Sequence, residues 1–158
     1  MFARAIFAIV DFAARKGLAE ASPENSAQPP SKQQARRTGV RGETYAYWYL
    51  RRRGYILVAR NFTFPGMKGE LDMVGYDGPV LAFIEVKTRS ASAPGAPAPE
   101  DAVNPEKRRH LSRMATQFLR TRRIESAACR FDVLAIETRA GAHPVVRLHK
   151  GAFRPDAH

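Results

Sequence analysis

Asp72, Glu85 and Lys87 are the residues of this chain best suited to chemistry. Glu85-Val86-Lys87 follows the apolar run Leu81-Ala82-Phe83-Ile84, and Asp72 lies between Leu71 and Met73. Each acid therefore sits inside a segment that reads as a β-strand. Buried charge is costly unless it is paired or holds a metal ion. Two adjacent carboxylates repel, and a hard divalent cation such as Mg2+ or Mn2+ relieves the repulsion with carboxylate and water ligands. Such an ion lowers the pKa of a bound water and offsets charge on a phosphate. An ammonium beside it, Lys87, suits orienting that water or neutralising the transition state. Glu43 supplies another acid and Glu70 a fourth. These residue types together suit hydrolysis of a phosphodiester. The competing reading is a structural salt bridge on a solvent-facing sheet face.

The elements that must position these groups are legible in the periodicity. Gly42 to Arg53 reads as a helix in which Ala46, Tyr47 and Leu50 follow Glu43 at helical spacing, which puts Glu43 on the inward stripe. Gly54 ends that helix. Tyr55 to Phe64 reads as a strand closed by Pro65-Gly66, and Glu70 to Tyr76 as a second. Asp77-Gly78 signals a hairpin into a third strand, Val80 to Lys87. Asn104 suits an N-cap and Pro105 the first helical position of a helix carrying Leu111, Met114, Ala115, Phe118 and Leu119. Arg130 to Ile136 and Val145 to Leu148 read as strands, with Asp132 more at home at a strand end or hairpin than in a site. The order α-β-β-β-α-β predicts an α/β fold, a mixed sheet flanked by helices.

Side chains alternate along a strand, so Glu70 pairs in facing with Asp72, and Glu85 with Lys87. A two-residue turn at Asp77-Gly78 places Tyr76 opposite Pro79, hence Glu70 opposite Glu85 and Asp72 opposite Phe83. All four groups then share a face, with Asp72 and Glu85 diagonal neighbours roughly 7 Å apart at the backbone. A three-residue loop would scatter them.

Composition frames the partner. The 158 residues suffice for one domain, and 26 Lys and Arg against 15 Asp and Glu leave a formal net charge of +11. That excess favours a polyanion, nucleic acid before an acidic membrane surface. The one cysteine, Cys129, excludes an internal disulfide framework and a cysteine zinc site, and fits a reducing cytoplasm. His110, His143, His149 and His158 show no ligand spacing. No apolar run reaches the ~18 residues of a membrane span, so stable membrane insertion is not expected. Residues 1–35 read as an N-terminal extension, with Met1 to Val10 a short amphipathic helix and 20–35 a polar, Pro-rich disordered linker. The folded domain is expected over 36–153, with a tail at 154–158. Ser90 to Val103 reads as a mobile Ala/Pro/Ser-rich loop. Tyr45, Tyr47, Trp48 and Tyr49 read as packing residues before base-stacking ones.

Arg41-Gly42-Glu43, Gly69-Glu70-Leu71-Asp72 and Phe83-Ile84-Glu85-Val86-Lys87-Thr88-Arg89 resemble the YraN-like family of small bacterial proteins. That family falls in the restriction-endonuclease-like PD-(D/E)xK superfamily, and the pattern is also similar to archaeal Holliday junction resolvases. Asn61, Lys107-Arg108-Arg109, Arg130-Phe131-Asp132-Val133 and Gly151-Ala152-Phe153 fit as well, so the resemblance covers about 36–153. It implies a restriction-endonuclease-like core, metal binding by Asp72 and Glu85, a catalytic Lys87, and Glu43 as the helix acid. Gly69-Glu70 replaces the superfamily's Pro-Asp opening, as in the YraN-like version, which leaves Glu70 the weakest metal ligand of the set. The expected activity is Mg2+- or Mn2+-dependent cleavage of DNA, branched or damaged DNA included. Arg41, Arg89, Lys107, Arg108, Arg109 and Arg113 are the expected phosphate contacts, which position the substrate without reading sequence. A junction substrate predicts a homodimer. Two alternatives stand beside it: a non-catalytic nucleic-acid-binding module of the same fold, and an interaction protein held at a membrane through residues 1–18.

Overall fold

The computed structural model of the chain describes residues 2–17, 32–90, 103–138 and 142–153. Its elements are α1 (Phe2–Gly17), α2 (Lys32–Arg52), β1 (Ile56–Phe62), β2 (Leu71–Asp77), β3 (Val80–Ser90), α3 (Pro105–Arg122), β4 (Cys129–Thr138) and β5 (Val145–Phe153). The strands form one sheet in sequence order, β1-β2-β3-β4-β5. Among the described strands, only β3 and β4 pair in parallel. Parallel neighbours need a crossover, and α3 provides it. The result is the α/β, restriction-endonuclease-like mixed sheet expected from the sequence.

Alternation along the strands gives the sheet two apolar faces. Leu81, Phe83, Phe131 and Val133 pack with Leu111, Met114 and Phe118 of α3. Ala82, Ile84, Leu134 and Ile136 pack with Tyr45, Ala46 and Leu50 of α2. Each large buried side chain contributes roughly 1.5–3 kcal/mol, which holds a helix on each face. α1 lies on α2: Phe7 meets Tyr45 edge-on at 5.4 Å, and the Tyr45 hydroxyl donates to Asp11 Oδ1 at 2.7 Å. The amphipathic helix thus spends part of its apolar face inside the molecule. Tyr45 is buried and Tyr47, Trp48 and Tyr49 half-buried around this cluster.

Caps set the helix ends. Asn104 Oδ1 accepts the Lys107 N–H at 2.8 Å and Pro105 opens α3, as its sequence predicts. Gly54, at φ 92, follows α2, while the Tyr55 N–H reaches back to the Leu50 carbonyl at 3.1 Å.

Four expectations change. Helix α2 begins at Lys32, so residues 32–35, read as linker, are helical; the rest of that linker and the tail at 154–158 lie outside the described residues. The strand β3 continues to Ser90 because β4 pairs with it along its whole length, to Ser90↔Thr138. Val103, assigned to the loop, is a buried core residue beneath α3, and 91–102 lie outside the described residues. The β2–β3 turn moves by one residue. Asp77 pairs with Val80, and Gly78-Pro79 makes the turn, with Gly78 at φ 59. The physical reason is Pro79, which has no N–H to give a ladder and a fixed φ suited to a turn.

Candidate active site

That turn sets the register of the acids. Met73 lies opposite Ile84, the last pair of the ladder, and the same register carried one step on brings Asp72 opposite Glu85, where the sequence predicted Phe83. The shift is two residues in the pairing, so facing is preserved and the acids still meet. The paired residues of β2 and β3 end at Met73 and Ile84. Past them β3 runs on with β4, and the Val86 N–H is taken by Asp72 Oδ2 at 2.8 Å. The acids thus occupy the point where two strands part.

Glu85 is 4% exposed, and two ammoniums converge on its Oε1: Lys87 Nζ at 2.8 Å and Lys107 Nζ at 3.2 Å. Its Oε2 is buried with no hydrogen-bond partner. Lys87 arrives from β3, two residues along the same face. Lys107 arrives from the first turn of α3, which the crossover lays over that face. Asp72 feels both layers. Burial and the Glu85 charge push its carboxyl up to about 7, against the pull of the Val86 N–H and Lys107, with Glu43 adding to the rise.

Glu43 is held from the other layer. Gly42 is buried against β3, where a Cβ would stand 1.9 Å from Thr88 Oγ1, so only glycine allows this approach of α2. Glu43 Oε2 then accepts from Asn61 Nδ2 at 2.6 Å, and Asn61 itself sits in the left-handed region at φ 49. Asparagine tolerates that conformation and carries the donor. Glu70, half-buried, lies just ahead of β2. Among the described residues no three His, Cys, Asp or Glu gather closely enough to enclose a metal ion. The tight pair is Asp72 and Glu85.

The basic residues divide. Lys107 turns into the site. Arg108 donates to the Val103 carbonyl at 2.9 Å and covers the Phe153 ring. Arg89 reaches Glu137 Oε2 at 3.5 Å, an acid shared with Arg147. Arg41, Arg109 and Arg113 are exposed. His110, one turn after Lys107, is a neighbour the sequence did not single out. A Cβ on Gly69 would stand 2.5 Å from its Nε2. Burial, then Lys107 and Arg113, hold its imidazole below the usual range, against Glu85. The signal was available: Lys107 and His110 are three apart on one helix face.

Asp132 is not at a strand end. It is fully buried within β4, where Arg130 Nε at 2.8 Å, the Tyr55 hydroxyl at 3.3 Å and the Gly151 N–H at 2.9 Å all donate to it. The β4–β5 register shifts between Phe131 and Val133, and the Asp132 carboxylate satisfies the N–H freed there.

A divalent ion fits the pair on these observations. Mg2+ commonly takes one or two carboxylates and keeps waters, so a third acid is not required. Glu85 Oε2 lacks a partner, and burial first, then the Glu85 charge, push the Asp72 carboxyl up to about 7, a rise that a cation beside the pair would oppose.

Residues 42–136 match the uncharacterised protein family UPF0102. The chain belongs to the UPF0102 family. It is 40% identical to a UPF0102 protein of Koribacter versatilis over 124 residues, 78% of this chain and 84% of that one. It is likewise 40% identical to a UPF0102 protein of Symbiobacterium thermophilum over 119 residues, 75% and 98% of the two chains. A UPF0102 protein of Solibacter usitatus is 41% identical over 112 residues, 71% and 82%. The UPF0102 match spans Gly42, Asn61, the Asp72–Glu85 pair and Lys107. It is the YraN-like family that the motifs resemble.

Proposed function

We propose that this UPF0102 protein is a divalent-cation-dependent endonuclease that hydrolyses phosphodiester bonds in DNA, branched or damaged DNA included. The observation that carries this reading is Asp72 opposite Glu85 at the parting of β2 and β3, with an unpartnered carboxylate oxygen and Lys87 at 2.8 Å. Asp72 and Glu85 would hold Mg2+ or Mn2+, with Glu43 at longer range. When bound, the ion supplies an acidified water and offsets phosphate charge. Lys87, fixed by the β3–β4 ladder at Lys87↔Ala135, holds its ammonium beside the pair, where charge develops on the phosphate. The buried floor of Leu71, Phe83 and Leu111 beneath the acids keeps bulk water from screening them. Arg41, Arg109 and Arg113, all exposed, would supply phosphate contacts, a role that the net charge of +11 supports. A four-way junction would require two such sites, which a homodimer presents. Among the described residues no helix is long and apolar enough to cross a membrane.

A second reading has its own observation. Glu85 is already balanced by two lysines, and among the described residues no three metal-ligating side chains gather. A non-catalytic nucleic-acid-binding module would have that balance. Cleavage of labelled single-stranded, duplex, flap and four-way-junction DNA in Mg2+, Mn2+ or EDTA separates the two. The nuclease predicts metal-dependent cutting that Glu85→Ala and Lys87→Ala both abolish. Salt-dependent binding without cutting in any metal would overturn it in favour of the binding module.

A further inference from the structure

We propose that Lys107 is a displaceable counter-ion: its ammonium balances Glu85 until a divalent cation binds, and is then released to meet a phosphate of the nucleic acid. This rests on the divalent-cation reading of the Asp72–Glu85 pair and adds a residue and a sequence of events to it.

A carboxylate as buried as Glu85 cannot stand alone. The described structure balances it with Lys87 and Lys107, both on Oε1. Ionised together, Asp72 and Glu85 match the two ammoniums charge for charge. A divalent cation between Asp72 and Glu85 balances both acids without either lysine. It also repels both ammoniums, at distances where a full charge is felt strongly in a partly buried site. One of them must yield.

The backbone decides which. The side chains are equally exposed, 31% for Lys87 and 32% for Lys107, so exposure does not choose. Lys87 lies in the middle of β3, paired with β4, two residues from Glu85 on the same strand face. Its Cα cannot leave. Lys107 comes from a separate element, the first turn of α3, and makes the longer contact with Glu85, 3.2 Å against 2.8 Å for Lys87, so the same four-carbon stem can swing it toward the helix end. That turn carries exposed Arg109 one residue beyond Arg108, and the α3 N-terminal end favours an anion. A lysine released from Glu85 there meets the surface on which a phosphate is expected. The arrangement couples the two ligands: the cation frees the phosphate contact, and phosphate held by Lys107 leaves Glu85 to the cation.

The test uses the full-length wild-type chain. Surface amines are acylated briefly with an N-hydroxysuccinimide ester in EDTA or in Mg2+, without nucleic acid. Modification at Lys87 and Lys107 is read by peptide mass spectrometry, and Mg2+ binding is measured in parallel by calorimetry. The expected result is Mg2+ binding with at least a threefold rise in labelling at Lys107 and no rise at Lys87. Mg2+ binding with Lys107 labelling unchanged, or with Lys87 rising instead, overturns the proposal and leaves the cation site standing. An absence of Mg2+ binding removes the cation site and this proposal together.

Discussion

Asp72 stands in for a backbone carbonyl: its Oδ2 accepts the Val86 N–H at 2.8 Å at the point where β2 leaves β3. This bond fixes the carboxylate opposite Glu85 and gives the parting strands a satisfied donor. It also places a carboxyl, pushed up to about 7, where ionising it costs stability.

The cost has a definite sign. A carboxyl near 4 in the unfolded chain and about 7 in the folded one binds more protons when folded. Its stabilising contribution is full below about pH 4 and is lost as pH rises through about 7. Asp72→Asn should therefore raise stability at pH 8, by on the order of 1–3 kcal/mol, and change it little at pH 4. Mg2+ should stabilise the wild type more at pH 8 than at pH 5, and Asp72→Asn much less at either. Urea denaturation of both proteins at pH 4, 5 and 8, with and without Mg2+, checks these expectations. A wild type that gains stability between pH 5 and 8 relative to Asp72→Asn would contradict the assignment.

The Gly42–Thr88 contact predicts a steric outcome. A Cβ at residue 42 meets Thr88 Oγ1 at 1.9 Å and Thr88 Cβ at 2.9 Å. Overpacking of this kind costs about 1–3 kcal/mol. Gly42→Ala should show that loss in denaturation and should also weaken cleavage, because Glu43 is the next residue. Adding Thr88→Ala removes the closer clash but not the Cβ, so the double variant should recover part of the stability. Additive losses in the double variant would rule out the contact as the cause.

Much of this fold is written in local pattern. The helix face of Leu111, Met114 and Phe118, the Asn104 cap and the alternation of β3 are short-range signals, and the structure carries each of them. The acids were also visible, since a charge inside an apolar strand breaks its own pattern. Register was less so. The dipeptide Asp77-Gly78 is a good turn signal, but Pro79 moves the turn by one residue and brings Asp72 and Glu85 from diagonal to opposite. The role of Lys107 depends on where the crossover lays α3, which no local pattern contains. Sequence alone puts Asp132 at a hairpin or strand end, because its partners Tyr55 and Gly151 are remote in sequence.

That same remoteness makes Asp132 a test of site against scaffold. Its carboxylate joins Arg130, Tyr55 and the β5 bulge, and Arg130 continues to Asp77, which also accepts from Lys150 at 2.6 Å. Asp132→Ala leaves the half-buried Arg130 with Asp77 and takes the acceptor from two further donors, the Tyr55 hydroxyl and the Gly151 N–H, so stability should fall by about 2–4 kcal/mol. Cleavage per folded molecule should stay near wild type at low temperature. Active-site titration beside thermal denaturation separates these readouts, and lost cleavage in a fully folded variant would move Asp132 into the site.

Asn61 links a backbone conformation to the helix acid, and two substitutions take the link apart. Asn61 holds φ 49 and donates to Glu43 Oε2 at 2.6 Å. Asn61→Gly keeps the backbone conformation and removes the donor. Asn61→Ala removes the donor and adds left-handed strain of about 1–2 kcal/mol. If Asn61 positions Glu43, both variants should lose cleavage to a similar extent, several-fold, while only Asn61→Ala loses that stability. The loss should lie in kcat at saturating Mg2+ and not in the affinity for DNA, because the Glu43 charge is felt at Asp72. Parallel kinetics and denaturation on the two variants decide it. Cleavage that tracks stability, lost in Asn61→Ala but intact in Asn61→Gly, would make Asn61 a turn residue alone.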